Sequence, residues 1–270
     1  MRRVEQKYGN QYNYNSVLLE TDSDIFHTEA QRTRRHKGDK LEEKEIFMKE
    51  SIIESFIKEF FINKENFFEC KNNIDRYTYW SLMHKIERPI QDDFAYFLHK
   101  KMSETNIVSI EYSLGNRESA DIMILSKKGE RKILIELKAC FAEDLEEKKI
   151  KTKRGYGTKI INDYKKRKKI ITDEKYFILI ASYHYDMPEK NDIDDSYIVN
   201  YSDNMKHSTK LADEKKNYDD FFYTAKNNIK NYKKYSKQLE LRDSCSNNIK
   251  LGEAFGIKCG LYCFVFKAKK

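Results

Sequence analysis

Three charged residues interrupt stretches of this chain that otherwise read as apolar strands. Asp121 opens DIMILS (121–126), and Glu136 and Lys138 sit inside KILIELKA (132–139). Burying a charge costs several kcal/mol unless it is compensated, so their placement asks for a reason. Side chains alternate across a strand. Ile133, Ile135 and Leu137 therefore point one way and Leu134, Glu136 and Lys138 the other. Glu136 and Lys138 are then neighbours roughly 6–7 Å apart, with a hairpin partner about 4.8 Å to the side. The polar KKGE (127–130) reads as a tight turn, which makes the two stretches an antiparallel hairpin and brings Asp121 beside Glu136. Two close carboxylates repel and desolvate each other. A divalent cation that favours hard oxygen ligands, such as Mg²⁺, resolves that cost. An adjacent lysine can orient or deprotonate a water and offset charge on a phosphorane. The chemistry such a set suits is metal-assisted attack of water on a phosphodiester.

The elements that must position these groups follow from periodicity. Ile46, Ile53, Phe56, Ile57, Phe60 and Phe61 recur at three-to-four spacing and predict a helix over 41–62. A second helix is predicted over 86–102, with Ile90, Phe94, Phe97 and Leu98 inward and Pro89 in its first turn. Strands follow at 107–114, 121–126 and 132–139, then a helix at 158–171, a buried strand at 175–183, a helix at 219–240 and a late strand at 259–268. That order predicts an α/β fold, a mixed central sheet flanked by helices, with an added N-terminal helical region. The expected division is an arm and helical region at 1–80 and a core at 81–270, with insertions at 186–217 and 240–258.

Asp121, then Glu136-Leu137-Lys138, resembles the signature of the PD-(D/E)xK, or restriction-endonuclease-like, nuclease superfamily, over residues 86–183. Ala120 stands where the family's name has proline. The resemblance implies a restriction-endonuclease-like fold in which Asp121 and Glu136 hold Mg²⁺, the carbonyl of Leu137 assists, and Lys138 serves the attacking water. It also implies an acid on the helix before the sheet. Within KIERPIQDDFAYFL (85–98), Glu87 is the first choice, Asp92 and Asp93 compete, and Gln91 shares the face of Glu87. The activity implied is that of a Mg²⁺-dependent endonuclease on double-stranded DNA, of the type II restriction kind, working as a homodimer in a bacterial cytoplasm. A repair or phage-defence nuclease shares every residue named. The alternative outside enzymology is a basic nucleic-acid-binding module that uses its acids structurally.

Charge and composition bear on the partner. The 270 residues carry 52 Lys and Arg against 44 Asp and Glu, a formal charge of +8, which fits a nucleic-acid partner. The excess gathers near the candidate site. Lys153, Arg154, Lys159, Lys165, Lys166 and Arg167 are the expected phosphate contacts. Arg32, Arg34, Arg35 and Lys37 offer a further basic arm, and Tyr8, Tyr12 and Tyr14 a stacking surface. The five cysteines show no Cys-x-x-Cys pair, which argues against structural zinc and for a reducing, intracellular setting. No apolar run approaches the roughly 18–20 residues of a membrane span. The chain has no P-loop and no Gly-x-Ser-x-Gly elbow. His84, His99 and His184 show no metal spacing.

Overall fold

A computed structural model describes residues 51–62, 76–83, 85–185, 218–232, 237–254 and 257–269. The basic and tyrosine-rich arm expected within 1–40, the start of the helix expected from 41, His84 and the insertion expected at 186–217 lie outside the described residues. The elements run α1 (Ile52–Ile62), α2 (Arg76–Met83), α3 (Glu87–Met102), β1 (Asn106–Gly115), β2 (Glu118–Ser126), β3 (Arg131–Phe141), α4 (Glu147–Ile150), α5 (Tyr156–Arg167), β4 (Glu174–Tyr185), α6 (Tyr218–Lys230), β5 (Leu239–Leu241), β6 (Asn247–Ala254) and β7 (Ile257–Ala268). The fold is mixed α/β, a seven-stranded sheet in the order β1-β2-β3-β4-β7-β5 with β6 also paired to β7.

β1, β2 and β3 form an antiparallel meander closed by tight turns. Asn116 (φ 53°) and Arg117 (φ 61°) make the first turn with left-handed backbone, the conformation that matches the twist of a hairpin. β3 and β4 pair in parallel from Ile133↔Glu174 to Phe141↔Ser182. The crossover between them carries α4 and α5, because parallel neighbours need a long connection. The segment 240–258, expected as an insertion, supplies most of β5 and β6, which cover successive stretches of β7. The helix expected over 219–240 ends at Lys230, and Leu239, within that expected range, instead pairs with Ala268 as part of β5. Its apolar spacing continues the helical period, but the open edge of β7 offers backbone hydrogen bonds that outweigh that period.

Two apolar layers sandwich the sheet. On one face Ile53, Ile57 and Phe60 of α1 and Ile90, Phe94 and Leu98 of α3 pack against Ile122, Ile124, Ile133, Ile135 and Leu137. On the other, Ile160 and Ile161 of α5 and Phe222 and Ile229 of α6 pack against Phe177, Leu179, Tyr262 and Phe264. The alternation read along β3 holds: Ile133, Ile135 and Leu137 meet α3, which leaves Glu136 and Lys138 for α5. Glu54 on α1 is fully buried, yet Arg242 donates to its Oε2 from Nε (3.0 Å) and Nη2 (2.8 Å), and Lys267 reaches its Oε1 at 3.3 Å. The first described helix is thereby tied to the far edge of the sheet.

The alternation breaks on β1 and beside it on β2, where Ala120 and Met123, three residues apart, share a layer that Ile122 does not. Glu111 has φ +48°, a conformation that residues with a side chain rarely adopt. Val108 packs in the α3 layer, whereas Tyr112 and Leu114 join Ala120 and Met123 on the opposite face. An even number of residues separates Val108 from Tyr112, so the left-handed residue between them reverses which way the ribbon faces.

Gly260 pairs directly with Tyr183 across β7 and β4. The tyrosine ring lies over the glycine and stacks on Tyr262 at 4.4 Å, and its hydroxyl donates to Asn248 Oδ1 at 2.7 Å. A Cβ on Gly260 would sit 2.6 Å from Cε1 of that ring and closer still to Cζ and Oη. Gly260→Ala is therefore expected to lower stability by about 1–3 kcal/mol, the usual cost of overpacking. The loss should shrink in a Tyr183→Leu background. The midpoints of urea unfolding measure both.

Candidate active site

The β2–β3 ladder runs from Leu125↔Arg131 up to Ile122↔Ile135 and stops there. One step further Asp121 faces Glu136, as the hairpin register predicts, but the strands are parted by a side chain. The Leu137 N–H donates to Asp121 Oδ2 at 2.7 Å. The carboxylate thus takes a hydrogen bond at the mouth of the opening, and the Asp121 carbonyl accepts from Gln91 Nε2 at 2.7 Å on α3. Glu87, at the start of α3, reaches the same end of the sheet: the Ala139 N–H donates to its Oε2 at 2.8 Å. The structure accordingly brings Asp121, Glu136, Lys138 and Glu87 together at the end of β2 and β3. The competing acids are engaged elsewhere. Asp92 pairs with Arg88 at 3.1 Å, and Asp93 is bound by Arg76 and by the Tyr77 hydroxyl.

Lys138 Nζ lies between two acids, 3.6 Å from Glu87 Oε1 and 3.5 Å from Asp163 Oδ2, and donates to the Leu137 carbonyl at 2.8 Å. Glu136 is 3% exposed. Arg167 Nε donates to its Oε1 at 2.6 Å, while the rest of that guanidinium reaches the Ser119 carbonyl at 2.5 Å and Glu118 at 3.3 Å. Both partners come from α5. Residues four apart on a helix are about 6 Å apart along its axis, and residues two apart on a strand about 6.6 Å. The pair Asp163 and Arg167 therefore matches the pair Lys138 and Glu136 in pitch and opposes it in sign.

Burial and electrostatics set the proton affinities. Burial pushes the Asp121 carboxyl up to about 6. Glu87 and Glu111 add to the rise, and the Leu137 N–H and Lys138 oppose it. Burial, then the charge of Asp121, push Glu136 up to about 7 against the pull of Arg167. For Lys138 burial acts downward, but Glu87, Asp163, Asp121 and Glu136 outweigh it and hold the amine above its usual range. Lys138 is an ammonium at neutral pH, a donor and a positive charge rather than a base.

The sequence left two contributors, Glu111 and Asp163, unassigned and gave a third, Arg167, another role. Glu111 faces Asp121 in the β1–β2 register and is held by Arg88 (2.8 Å), Gln91 (3.2 Å) and Ser119 (2.9 Å). Asp163 Oδ2 is buried and accepts no hydrogen bond from the described residues, its nearest cation among them being Lys138. Arg167, grouped with the surface cations, is 8% exposed and grips Glu136, so it is not a surface phosphate contact. A burial-competent arginine four residues after an acid, amid exposed lysines, was the available signal. Lys153, Arg154, Lys159, Lys165 and Lys166 are exposed. Of the other histidines, His184 is buried beneath Ser81 and Phe141 and His99 is exposed.

The fit of a cation can be judged from the donors. Among the described residues no group of three His, Cys, Asp or Glu side chains is arranged as a metal cage. The donor chemistry nonetheless suits Mg²⁺. Asp121 and Glu136 offer hard oxygen donors whose proton affinity is raised first by burial and then by neighbouring carboxylates, and the Leu137 carbonyl, with one lone pair engaged by Lys138, retains another. The positive charge among these oxygens comes from Lys138 and Arg167.

The pH dependence of Asp121 gives a test. Its folded-state value of about 6 lies above the ordinary 3.8, so the folded protein binds the proton more tightly than the unfolded chain. Stability is withdrawn as pH rises from about 4 through about 6. Asn at this position cannot ionise and can still accept the Leu137 N–H. Asp121→Asn is expected to be more stable than the wild type by about 1–2 kcal/mol at pH 8, discounted for partial solvent exposure. The gap should narrow to roughly a third at pH 4.5. Thermal unfolding at both pH values decides it.

No family model, no curated protein and no solved structure matches the chain. What this site does must be argued from its own groups.

Proposed function

We propose that the protein is a Mg²⁺-dependent endonuclease that hydrolyses phosphodiester bonds of double-stranded DNA, of the type II restriction kind and of the restriction-endonuclease-like fold. The observation that carries this reading is the buried, mutually repelling pair Asp121 and Glu136 beside an ammonium, Lys138, at the open end of an otherwise closed hairpin. A salt bridge on a wet hairpin would leave Glu136 exposed, and it is buried. The fold-level part of the proposal is supported by the order of α3, an antiparallel meander, a helical crossover and the parallel strand β4.

In this reading Asp121, Glu136 and the Leu137 carbonyl would hold the cation, which supplies Lewis acidity and a bound water of lowered pKa. Lys138 is kept protonated by Glu87 and Asp163. Its amine, with three donors, orients the attacking water and offsets the charge that accumulates on the phosphorus oxygens. Glu87, fixed by the Ala139 N–H, keeps that amine in place. Water adds to phosphorus, one P–O bond to sugar breaks, and the products are an alcohol and a phosphate monoester. The exposed Lys153, Arg154, Lys159, Lys165 and Lys166 would neutralise backbone phosphates. A homodimer would place two such sites on the two strands.

One observation favours a second reading. Arg167 binds Glu136, Glu118 and the Ser119 carbonyl together, as in a site whose acids serve structure and whose surface only binds nucleic acid.

Plasmid DNA incubated with the full chain separates the two. Expected is cleavage that requires Mg²⁺, stops with EDTA, and falls at least about 100-fold in Asp121→Ala and in Lys138→Ala while circular dichroism stays native. Discrete fragments mark restriction, and a smear marks general degradation. Retention of the plasmid without cutting under any divalent cation would sink the hydrolytic reading and leave the binding module.

A further inference from the structure

Beyond the end of β3 lies a cleft of about 580 Å³, lined by Phe141, Glu143, Asp144 and, on the cationic side, Lys85, Arg154 and Lys159, with Tyr156 between. Such a volume holds a ligand of nucleotide size. Two ammonium groups converge on one ring. Lys85 Nζ donates to the Tyr156 hydroxyl and lies 4.9 Å from the ring centroid, and Lys159 Nζ lies 3.8 Å from the same centroid. Among the described residues, Lys85, Lys159 and Arg154 have no carboxylate within salt-bridge distance, although the chain is rich in acids. Like charges brought this close repel, and the tyrosine quadrupole offsets only part of that.

The acids of the cleft, Glu143 and Asp144, balance only part of the charge of Lys85, Lys149, Arg154 and Lys159. Asp144 Oδ2 accepts the Phe141 N–H at 3.3 Å. Glu143 is buried, and burial pushes its carboxyl up to about 7, so much of it is neutral. Lys149, also on the rim, is shared with Glu146 at 3.8 Å. The cleft therefore carries an unbalanced positive charge at fixed positions, the complement of the carboxylate pair next door.

We propose that this cleft is a phosphate subsite for a nucleic-acid strand, with Lys85 and Lys159 gripping the phosphodiester that flanks the one at Lys138. The proposal rests on the hydrolytic reading for its register and on the cleft alone for its ligand. Phe141 lies about 10 Å from Lys138 by the rise of a strand, within reach of a neighbouring phosphate on the same backbone. Lys85 precedes Glu87 by two residues, and Lys159 precedes Asp163 by one helical turn. The elements that hold the acids therefore hold the amines, and the spacing between the two subsites is fixed by β3, α3 and α5. Tyr156 and Phe141 are each 5% exposed, too covered to stack on a base. The contact is to the backbone and is indifferent to sequence.

The test is binding without chemistry. A fluorescein-labelled single-stranded oligonucleotide and its duplex are titrated in EDTA across a salt series, against the wild type and Lys85→Ala/Lys159→Ala. Both lysines are exposed, so the variant is expected to keep the wild-type melting temperature. Expected is a loss of affinity of about tenfold and a fall in the slope of log K against log salt of about 1.4, two single-strand contacts at about 0.7 each. Lys85→Arg/Lys159→Arg should keep the slope. Lys127→Ala/Lys128→Ala, at the other end of β3, removes the same charge and should keep both affinity and slope. A wild-type slope in Lys85→Ala/Lys159→Ala overturns the subsite. So does binding of inorganic phosphate by a protein that binds neither oligonucleotide, which would make free phosphate the ligand. Failure of plasmid cleavage in Mg²⁺ while the slope difference persists overturns the hydrolytic reading and leaves the subsite standing. Cleavage with an unchanged slope does the reverse.

Discussion

Two carboxylates are held side by side where water cannot fully solvate them, and the surrounding architecture is organised around that cost. Asp121 and Glu136 occupy facing positions on adjacent strands, each pushed toward its protonated form. Opposite charge has been brought from two directions. Lys138 comes from the same strand as Glu136, and Arg167 from the helix that closes the face. Removing either cation would leave a buried charge uncompensated, which costs far more than the pair returns when intact. The helix α5 fits here because its pitch and the pleat of β3 nearly coincide over four and two residues respectively. A helix presenting the same residues one position out of phase would bury neither pair.

The same ground plan separates charge along the sheet edge. The acids gather at the opening of the β2–β3 ladder, and Lys85, just before α3, and Lys159, on α5, lie past the end of β3 with no carboxylate partner among the described residues. A phosphodiester bound at such a boundary would find an amine side for its charge and an acid side able to bring a cation. Charge placed ahead of time in this way is what the proposed hydrolysis would draw on. No described helix is long and apolar enough to cross a membrane.

Much of this was legible in the residues. The period of two along 132–139 assigned Glu136 and Lys138 to one face, and a short polar turn fixed a register that set Asp121 beside Glu136. These are local signals, written within about twenty residues. The helix after β3 and the strand expected at 175–183, which runs Glu174–Tyr185, followed from equally local patterns. What was not legible depended on tertiary partners. Arg167 looked like one more surface cation because its burial depends on Glu118, Ser119 and Glu136, none of them near it in sequence. Glu111 gave no warning of a left-handed backbone, since only the packing of Tyr112 and Leu114 under the opposite layer reveals the reversal. Leu239 continued a helical period that the vacant edge of β7 overrode. The cleft was invisible for the same reason: Lys85 and Lys159 are brought together only by their common tyrosine.

The clamp on Glu54 carries a consequence for how the chain is made. Its cations, Arg242 and Lys267, lie 188 and 213 residues downstream. At ribosomal speeds of about 5–20 residues per second, the second of them emerges about 10–40 s after the acid. Until then the helix that bears Glu54 has an apolar stripe to bury and a carboxylate that refuses burial. Seating it therefore waits for β7, and a nascent chain stalled before that strand would present Ile53, Ile57 and Phe60 to whatever chaperone stands at the exit tunnel.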